Sequence, residues 1–362
     1  VRRVRLPLRF PFETSFARTT AKEFLLVSAS ADGVTGFGEC VADDDPYYLP
    51  ETNGTVLHVL RDFLVPLVLG RELGDPRELR LRFARVRGHE MAKAALEMAI
   101  FELHARRAGV PLYRVLGGRG GVVQAGVSIG LQKDTGALLE RVAVEAAAGY
   151  RRVKIKIKPG HDLDLVEAVR ARHPDLPLMV DANSAYTPAD APLLRALDGH
   201  RLTMIEQPLA WDDLVDHAAL QRQLATPLCL DESIRSAEDA RRALDLGSGR
   251  VINIKVGRVG GFAEAALVHD VCRARGIPVW CGGMLESGIG RLANVHLQTL
   301  PGFTLPGDTS ASARYFDEDL VDPPVCVSPD GEIAVPEGPG IGHAIVWPRV
   351  ERATSFREEW RG

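Results

Sequence analysis

One period constrains this chain more than any other feature. Lys156, Asp181, Glu206, Asp231 and Lys255 follow one another at spacings of 25, 25, 25 and 24 residues. Each of the last four closes a short apolar run, "LMVD", "MIE", "LCLD" and "INIK". One strand with its return helix occupies about this much chain, so the five residues are expected near one end of successive parallel strands. The runs "AGVSIG", "RRVKIKI", "LPLMVDAN", "LTMIEQP", "TPLCLDES", "RVINIKVG", "IPVWCGG" and "FTLPGD" supply eight strands of an α/β barrel. The carboxyl end of such a barrel is where active sites are built.

The barrel does not account for the whole chain. The first 40 residues alternate as strands, with a hairpin turning at Asp32-Gly33. "HEMAKAALEMAIFELHARRAG" reads as a helix stopped by Gly109. The texture changes near Val123, and after Asp308 the chain becomes rich in loops, Pro and Gly. That tail is expected to return to the N-terminal segment.

Composition excludes several classes. With 362 residues, 46% hydrophobic and 25% charged, the chain is globular, with one large or two medium domains. A net charge of −4, without a basic cluster interleaved with aromatics, argues against a nucleic-acid partner. Cys40, Cys229, Cys272, Cys281 and Cys326 are odd in number, scattered and without a CxxC pair, which argues against a disulfide framework or structural zinc. No signal-peptide pattern opens the sequence and no apolar run reaches about 18 residues. A cytoplasmic protein with no membrane partner is the expectation.

The chemistry lies in the ladder. In "VKIKIKPG", alternation puts Val153, Ile155 and Ile157 on one face and Lys154, Lys156 and Lys158 on the other. Alone, this reads as a solvated lysine edge, and each acid alone reads as a helix cap. Together, three carboxylates converging on a barrel mouth repel one another unless a cation sits between them. All-oxygen ligation favours a hard divalent ion, Mg2+ first, and no HxH or HExxH pattern suggests zinc. Asn183, two residues past Asp181, has the parity to point the same way; a turn residue is the alternative. A bound cation and a neighbouring Lys154 both lower the value at which Lys156 loses its proton, from about 10.4 toward a useful base. Lys154 is placed toward a substrate carboxylate or the metal ligands. Lys158 lies past the strand end and takes no role. Such a site suits a small carboxylate substrate, whose α-proton one lysine removes to leave an enediolate.

At these residues the chain resembles the enolase superfamily, in its muconate-lactonizing branch; pairing a Lys or His base with Mg2+ is a known feature of enolase-type sites. "KIK" at 154–156, "VDANSAYT" at 180–187, "IEQPL" at 205–209, "CLDESI" at 229–234, "NIKVGRVGG" at 253–261, "WCGGMLESGIGR" at 280–291 and "LPGDTSAS" at 305–312 resemble the o-succinylbenzoate synthase/N-succinylamino acid racemase family, as do "GHEMAKAALEMA" at 88–99 and "ECV" at 39–41. The resemblance implies Asp181, Glu206 and Asp231 as ligands of Mg2+, with Mn2+ as the alternative, and Lys156 and Lys255 as an acid/base pair. It implies a modified (β/α)8-type TIM barrel over 123–311, covered by an α+β capping domain made from 1–122 and a returning segment, 312–362. It departs from the family at Val256, where proline is expected.

Smaller motifs follow. The glycines of "CGGMLESGIGR" let backbone amides approach an anion, or simply turn the chain. Gly283, Met284, Glu286 and Ser287 are its candidate substrate neighbours. The family implies a mobile lid over the barrel mouth at 14–23, which brings in Phe16 and Arg18; core packing is the alternative for Phe16. "DDDPYY" at 43–48 reads as a solvated loop in which Tyr47 and Tyr48 can wall the pocket. Arg258 either tunes Lys255 or makes a surface salt bridge, and His89 and His217 read as structural.

The resemblance implies syn dehydration to o-succinylbenzoate in menaquinone synthesis, racemisation of N-succinyl amino acids, or both, in a homo-oligomer. A dipeptide epimerase or cycloisomerase is the alternative within the branch. A ligand-binding barrel without catalysis lacks support, since both lysines and all three acids are present. A Schiff-base aldolase leaves the acids without a purpose.

Overall fold

The computed structural model describes residues 1–362. The chain starts with an antiparallel meander, β1 (Arg2–Glu13), β2 (Arg18–Ala31) and β3 (Val34–Cys40). The β2–β3 hairpin turns at Asp32 (φ 52°) and Gly33 (φ 77°), the left-handed pair that a tight hairpin demands. Helix α1 (Glu90–Arg107) lies directly on β3. Glycine permits that approach: a Cβ on Gly36 would meet Leu103 N at 2.1 Å, and one on Gly38 would meet Ala95 O at 2.1 Å.

The barrel follows. After β4 (Val122–Gln124) come seven parallel strands: β5 (Val127–Ile129), β6 (Val153–Lys156), β7 (Leu178–Asp181), β8 (Ile205–Glu206), β9 (Leu228–Leu230), β10 (Val251–Ile254) and β11 (Val279–Cys281). They lie side by side in chain order. The helices between them are α2 (Thr135–Ala147), α3 (Leu163–Arg172), α4 (Ala191–Ala196), α5 (Val215–Gln221), α6 (Ala237–Leu246) and α7 (Phe262–Ala274), with α8 (Gly288–Leu297) after β11.

The eighth run, "FTLPGD", does not form the expected strand. Pro306 has no N–H to donate to a ladder. The segment instead bridges the two sheet edges: Asp308 N donates to Cys281 O (2.8 Å) and Gly126 N to Gly307 O (2.6 Å). The result is a modified barrel.

The tail adds β12 (Val321–Asp322), β13 (Glu332–Ala334), β14 (Ala344–Ile345) and β15 (Thr354–Arg357). β15 pairs antiparallel with β1, giving a four-stranded sheet in the order β15-β1-β2-β3. The cap thus contains both early and late chain. Buried glutamates fasten it to the barrel. Glu39 accepts from Ser287 N (2.8 Å) and Gly290 N (3.2 Å) at the start of α8, and Glu97 accepts from Ala263 N (3.4 Å) at the start of α7. Acidic side chains suit these positions because their oxygens accept the free N–H groups of helix N-termini, although burial outweighs those bonds and raises both carboxyls, Glu39 to about 7 and Glu97 to about 8. No helix is long and apolar enough to cross a membrane.

Candidate active site

Strand register builds the ladder. In the parallel sheet Lys156 pairs with Asp181, and Asp181 with Glu206. Glu206 pairs with Cys229, so Asp231 lies two residues further along on the same face. Ile252 pairs with Leu230, which puts Asn253 level with Asp231 and Lys255 two residues beyond on the same face. The two lysine strands flank the three acid strands.

The lysine face of β6 is not solvated. Lys154 is 3% exposed and Lys156 8%, because both faces of a parallel sheet are covered. Lys154 Nζ lies 2.9 Å from Glu206 Oε2, 3.2 Å from Asp181 Oδ2 and 2.7 Å from Asp308 Oδ2. Lys156 Nζ donates to Asp181 Oδ2 and Asn183 Oδ1, both at 2.6 Å. Asn183 in turn donates to Glu232 Oε1 at 3.0 Å. Lys255 Nζ donates to Asp231 Oδ2 at 2.7 Å and to the Tyr48 hydroxyl at 2.6 Å.

These environments separate the lysines. Burial lowers the Lys156 value and the Lys154 ammonium adds to it, against the pull of Asp181. Lys154 and Lys255 are held above the usual lysine range. Burial opposes this in both, but Asp308, Glu206 and Asp181 outweigh it at Lys154, and Tyr48, Glu206 and Glu232 outweigh it at Lys255. Glu232 is pushed up to about 6 by burial, with Asp181 adding to the shift and Lys255 opposing it.

The three acids supply only carboxylate oxygens, a donor set that suits a hard divalent cation. They are fully buried, and nothing draws three of them together as a finished ligand cage. An ammonium group, that of Lys154, already sits between Asp181 and Glu206, so the position favours positive charge. Asp181, Glu206, Asp231, Glu232 and Asp308 stand against Lys154, Lys156, Lys255, Arg258 and Arg152, five formal charges of each sign. A divalent cation added to this set is balanced by a dianion, and a carboxylate stripped of its α-proton is one.

Above the ladder lies a cavity of about 340 Å³. Phe16, Tyr48, Lys154, Lys156, Asn183, Lys255, Gly283, Met284 and Glu286 all line it, and so does Arg18. Ser287 does not. It is 0% exposed, caps α8 and bonds Glu39, because the chain turns into a helix at that point. Glu286 spends its oxygens on Met284 N (2.9 Å) and Asn294 Nδ2 (2.9 Å), which braces the loop. The glycines of this loop make room for side chains: a Cβ on Gly282 would lie 2.4 Å from Asn253 Oδ1 and 2.6 Å from Lys255 Cε.

Arg258 is 1% exposed, which excludes a surface salt bridge; its guanidinium bonds Asp231, Ile234 O and Asn253 O. Val256 is buried and opens the short helix Val256–Val259 where proline was expected. His217 is structural, bonding Asp213 and Leu209 N, and His89 has no side-chain cap bond. Sequence reasoning passed over Asp308, Asn253 and Glu232. Asp308 ends the eighth run as the ladder acids end theirs, and Asn253 has the parity of Lys255; both signals were present.

Comparison with known proteins agrees with this geometry. Residues 137–349 match the enolase C-terminal domain-like family, and residues 1–117 match the mandelate racemase/muconate lactonizing enzyme N-terminal domain. An o-succinylbenzoate synthase of Geobacillus kaustophilus is 55% identical, over 98% of this chain and 95% of its own. An N-succinylamino acid racemase of Thermus thermophilus is 49% identical, over 99% and 96%. The crystal structure of an enolase-superfamily member from Listeria innocua superposes with a TM-score of 0.94 at 41% identity, covering 98% of this chain and 96% of that one. The chain belongs to the enolase superfamily, within the o-succinylbenzoate synthase/N-succinylamino acid racemase family.

Proposed function

We propose that this enzyme is a Mg2+-dependent o-succinylbenzoate synthase and N-succinylamino acid racemase, working through one site. The observation that carries this reading is that Lys156 and Lys255 line a single cavity from strands on either side of the three acid strands. Enzymes of the superfamily generally use Mg2+. We assign Asp181, Glu206 and Asp231 to hold it. When bound, it would draw in the substrate carboxylate and favour negative charge on its oxygens.

The chain's own residues then do the proton work. Lys156, with its lowered affinity for a proton, takes the α-hydrogen from one face. Lys154 stays charged and faces the developing anion. In dehydration, the proton gained by Lys156 leaves with the departing hydroxyl as water, and Lys255 remains an ammonium that steadies the enediolate. In racemisation, Lys255 returns a proton to the opposite face, and the reverse direction exchanges the two roles. Phe16, Arg18, Tyr48, Gly283, Met284 and Glu286 surround the rest of the substrate.

We further read the chain as a capping domain, 1–122, a barrel, 123–311, and a returning segment, 312–362; the β15–β1 pairing supports this division. A cytoplasmic homo-oligomer acting on a small carboxylate completes the reading, and sedimentation velocity tests the assembly.

The functional test is to assay one purified sample with both substrates, beside Lys156→Ala and Lys255→Ala. Each variant should lose racemisation entirely, since a two-base exchange fails without either partner. Near wild-type racemisation by Lys255→Ala would overturn the assignment.

A further inference from the structure

The two lysines are not held alike. Lys156 bonds only Asp181 and Asn183, both barrel residues. Lys255 bonds one barrel residue, Asp231, and one residue of the cap, Tyr48. The Tyr48 hydroxyl also reaches Asp231 Oδ2 at 3.2 Å, so phenol, ammonium and carboxylate close a triangle.

The loop carrying Tyr48 is anchored at both ends by cap groups. Lys22 pairs with Asp43 on one side. On the other, the Glu51 carboxylate accepts from Met91 N (2.8 Å) and Ala92 N (3.1 Å) at the start of α1. Phe16, from the turn between β1 and β2, stacks on the Tyr48 ring with centroids 6.2 Å apart and planes 17° from parallel. Phe16 is 38% exposed, so the stack lies at the solvent side of the cavity. The stack couples this turn to Tyr48, and the Tyr48 hydroxyl couples it to Lys255. On the Lys156 side the same turn reaches only a backbone oxygen, with Ser15 Oγ 3.5 Å from Asn183 O, and no cap side chain bonds the Lys156 ammonium itself.

Resting on the two-base reading above, we propose that Tyr48 is a positioning residue for Lys255 and its partner Asp231, and not for Lys156, so that the cap acts chiefly on proton transfer at one face of the α-carbon. The ring shapes the cavity; the hydroxyl fixes where the Lys255 ammonium points. A hydrogen bond to a charged group is among the stronger ones, so its loss should be visible in the rate of one step.

The test uses Tyr48→Phe, which keeps the ring and its stack on Phe16 and removes only the hydroxyl. Each enantiomer of an N-succinyl amino acid is incubated in D2O with the intact enzyme, and α-proton exchange is followed by NMR. Lys156→Ala and Lys255→Ala, run in parallel, assign which enantiomer each lysine serves. Tyr48→Phe should slow exchange from the Lys255-served enantiomer by about tenfold or more relative to exchange from the other; because Tyr48 also lines the cavity, any change in KM should be shared by both enantiomers. Phe16→Leu should give a smaller loss on the same side. Equal losses from both enantiomers, or no loss, would overturn the proposal while leaving the two-base reading in place. Lysine variants that fail to separate the two enantiomers would overturn both, and that result is read without reference to Tyr48.

Discussion

Asp308 Oδ2 lies 2.7 Å from Lys154 Nζ, and its other oxygen pairs with the guanidinium of Arg152, which stacks 4.2 Å from the Trp280 ring centroid. One carboxylate from the irregular eighth segment thus holds two buried cations of β6 and its approach.

Asp308→Asn should therefore act at a distance from the α-carbon. Leaving Arg152 and Lys154 partly unpaired costs about 3 kcal/mol, the scale of a broken buried ion pair. The freed Lys154 ammonium then binds Asp181 and Glu206 more closely and competes with the divalent cation. Calorimetric titration with Mg2+ should show affinity falling by about tenfold, roughly 1.4 kcal/mol. Thermal unfolding of the metal-free protein checks the stability loss.

Removal of divalent cations with EDTA should abolish activity, and Mg2+ or Mn2+ should restore it. Full turnover by metal-free protein would refute the assigned role of the three acids. Asp231→Asn should lose metal binding and also stability, because Asp231 is 0% exposed and partners Arg258 and Lys255. A loss of about 3 kcal/mol is expected on urea unfolding of the apo protein.

Gly282→Ala tests how tightly Lys255 is packed. The new methyl group would press on Asn253 Oδ1 and Lys255 Cε, at 2.4 and 2.6 Å from an unrelaxed Cβ. Since a misplacement near 1 Å can cost about a hundredfold in rate, kcat should fall by that order. The melting temperature should change far less than in Asp308→Asn. A variant with normal kcat would show that Lys255 has room to spare.

Stability should also report on Glu97. Burial raises its carboxyl to about 8, with Glu264 adding and the N–H groups of Ala263 and Phe262 opposing. Its ordinary value is 4.5, so between there and about 8 the folded state holds a proton that the unfolded state has lost. Stability therefore falls as pH rises through that window. Glu97→Gln cannot ionise and should flatten the decline. Urea midpoints for both proteins at about pH 5, 7 and 9 give the comparison, and parallel curves would contradict it.

Much of the candidate site is legible in the sequence. The spacing from Lys156 to Lys255 survives as register because each strand and helix consumes nearly the same length of chain, and parity then fixes which side chains share a face. What failed did so where regular structure stops. Pro306 removed the eighth strand, and the start of α8 turned Ser287 away from the cavity and toward Glu39. The solvated-edge alternative for "VKIKIKPG", which the ladder already outweighs, is excluded by burial on both faces, a property of the sheet and its covering helices and not of the strand. The Tyr48–Lys255 contact joins residues 207 apart in sequence, and no periodicity encodes it.

The β15–β1 pairing has a consequence for biosynthesis. Val1 N donates to Glu358 O across 357 residues of chain. A ribosome has released the whole barrel before the last strand of the cap sheet emerges. β1 therefore has one edge without its partner strand until β15 has been synthesised. If the barrel between them is already folded, this pairing closes only a short effective loop, at little further entropic cost. The cap sheet therefore gains its last strand only after every strand of the ladder has been synthesised.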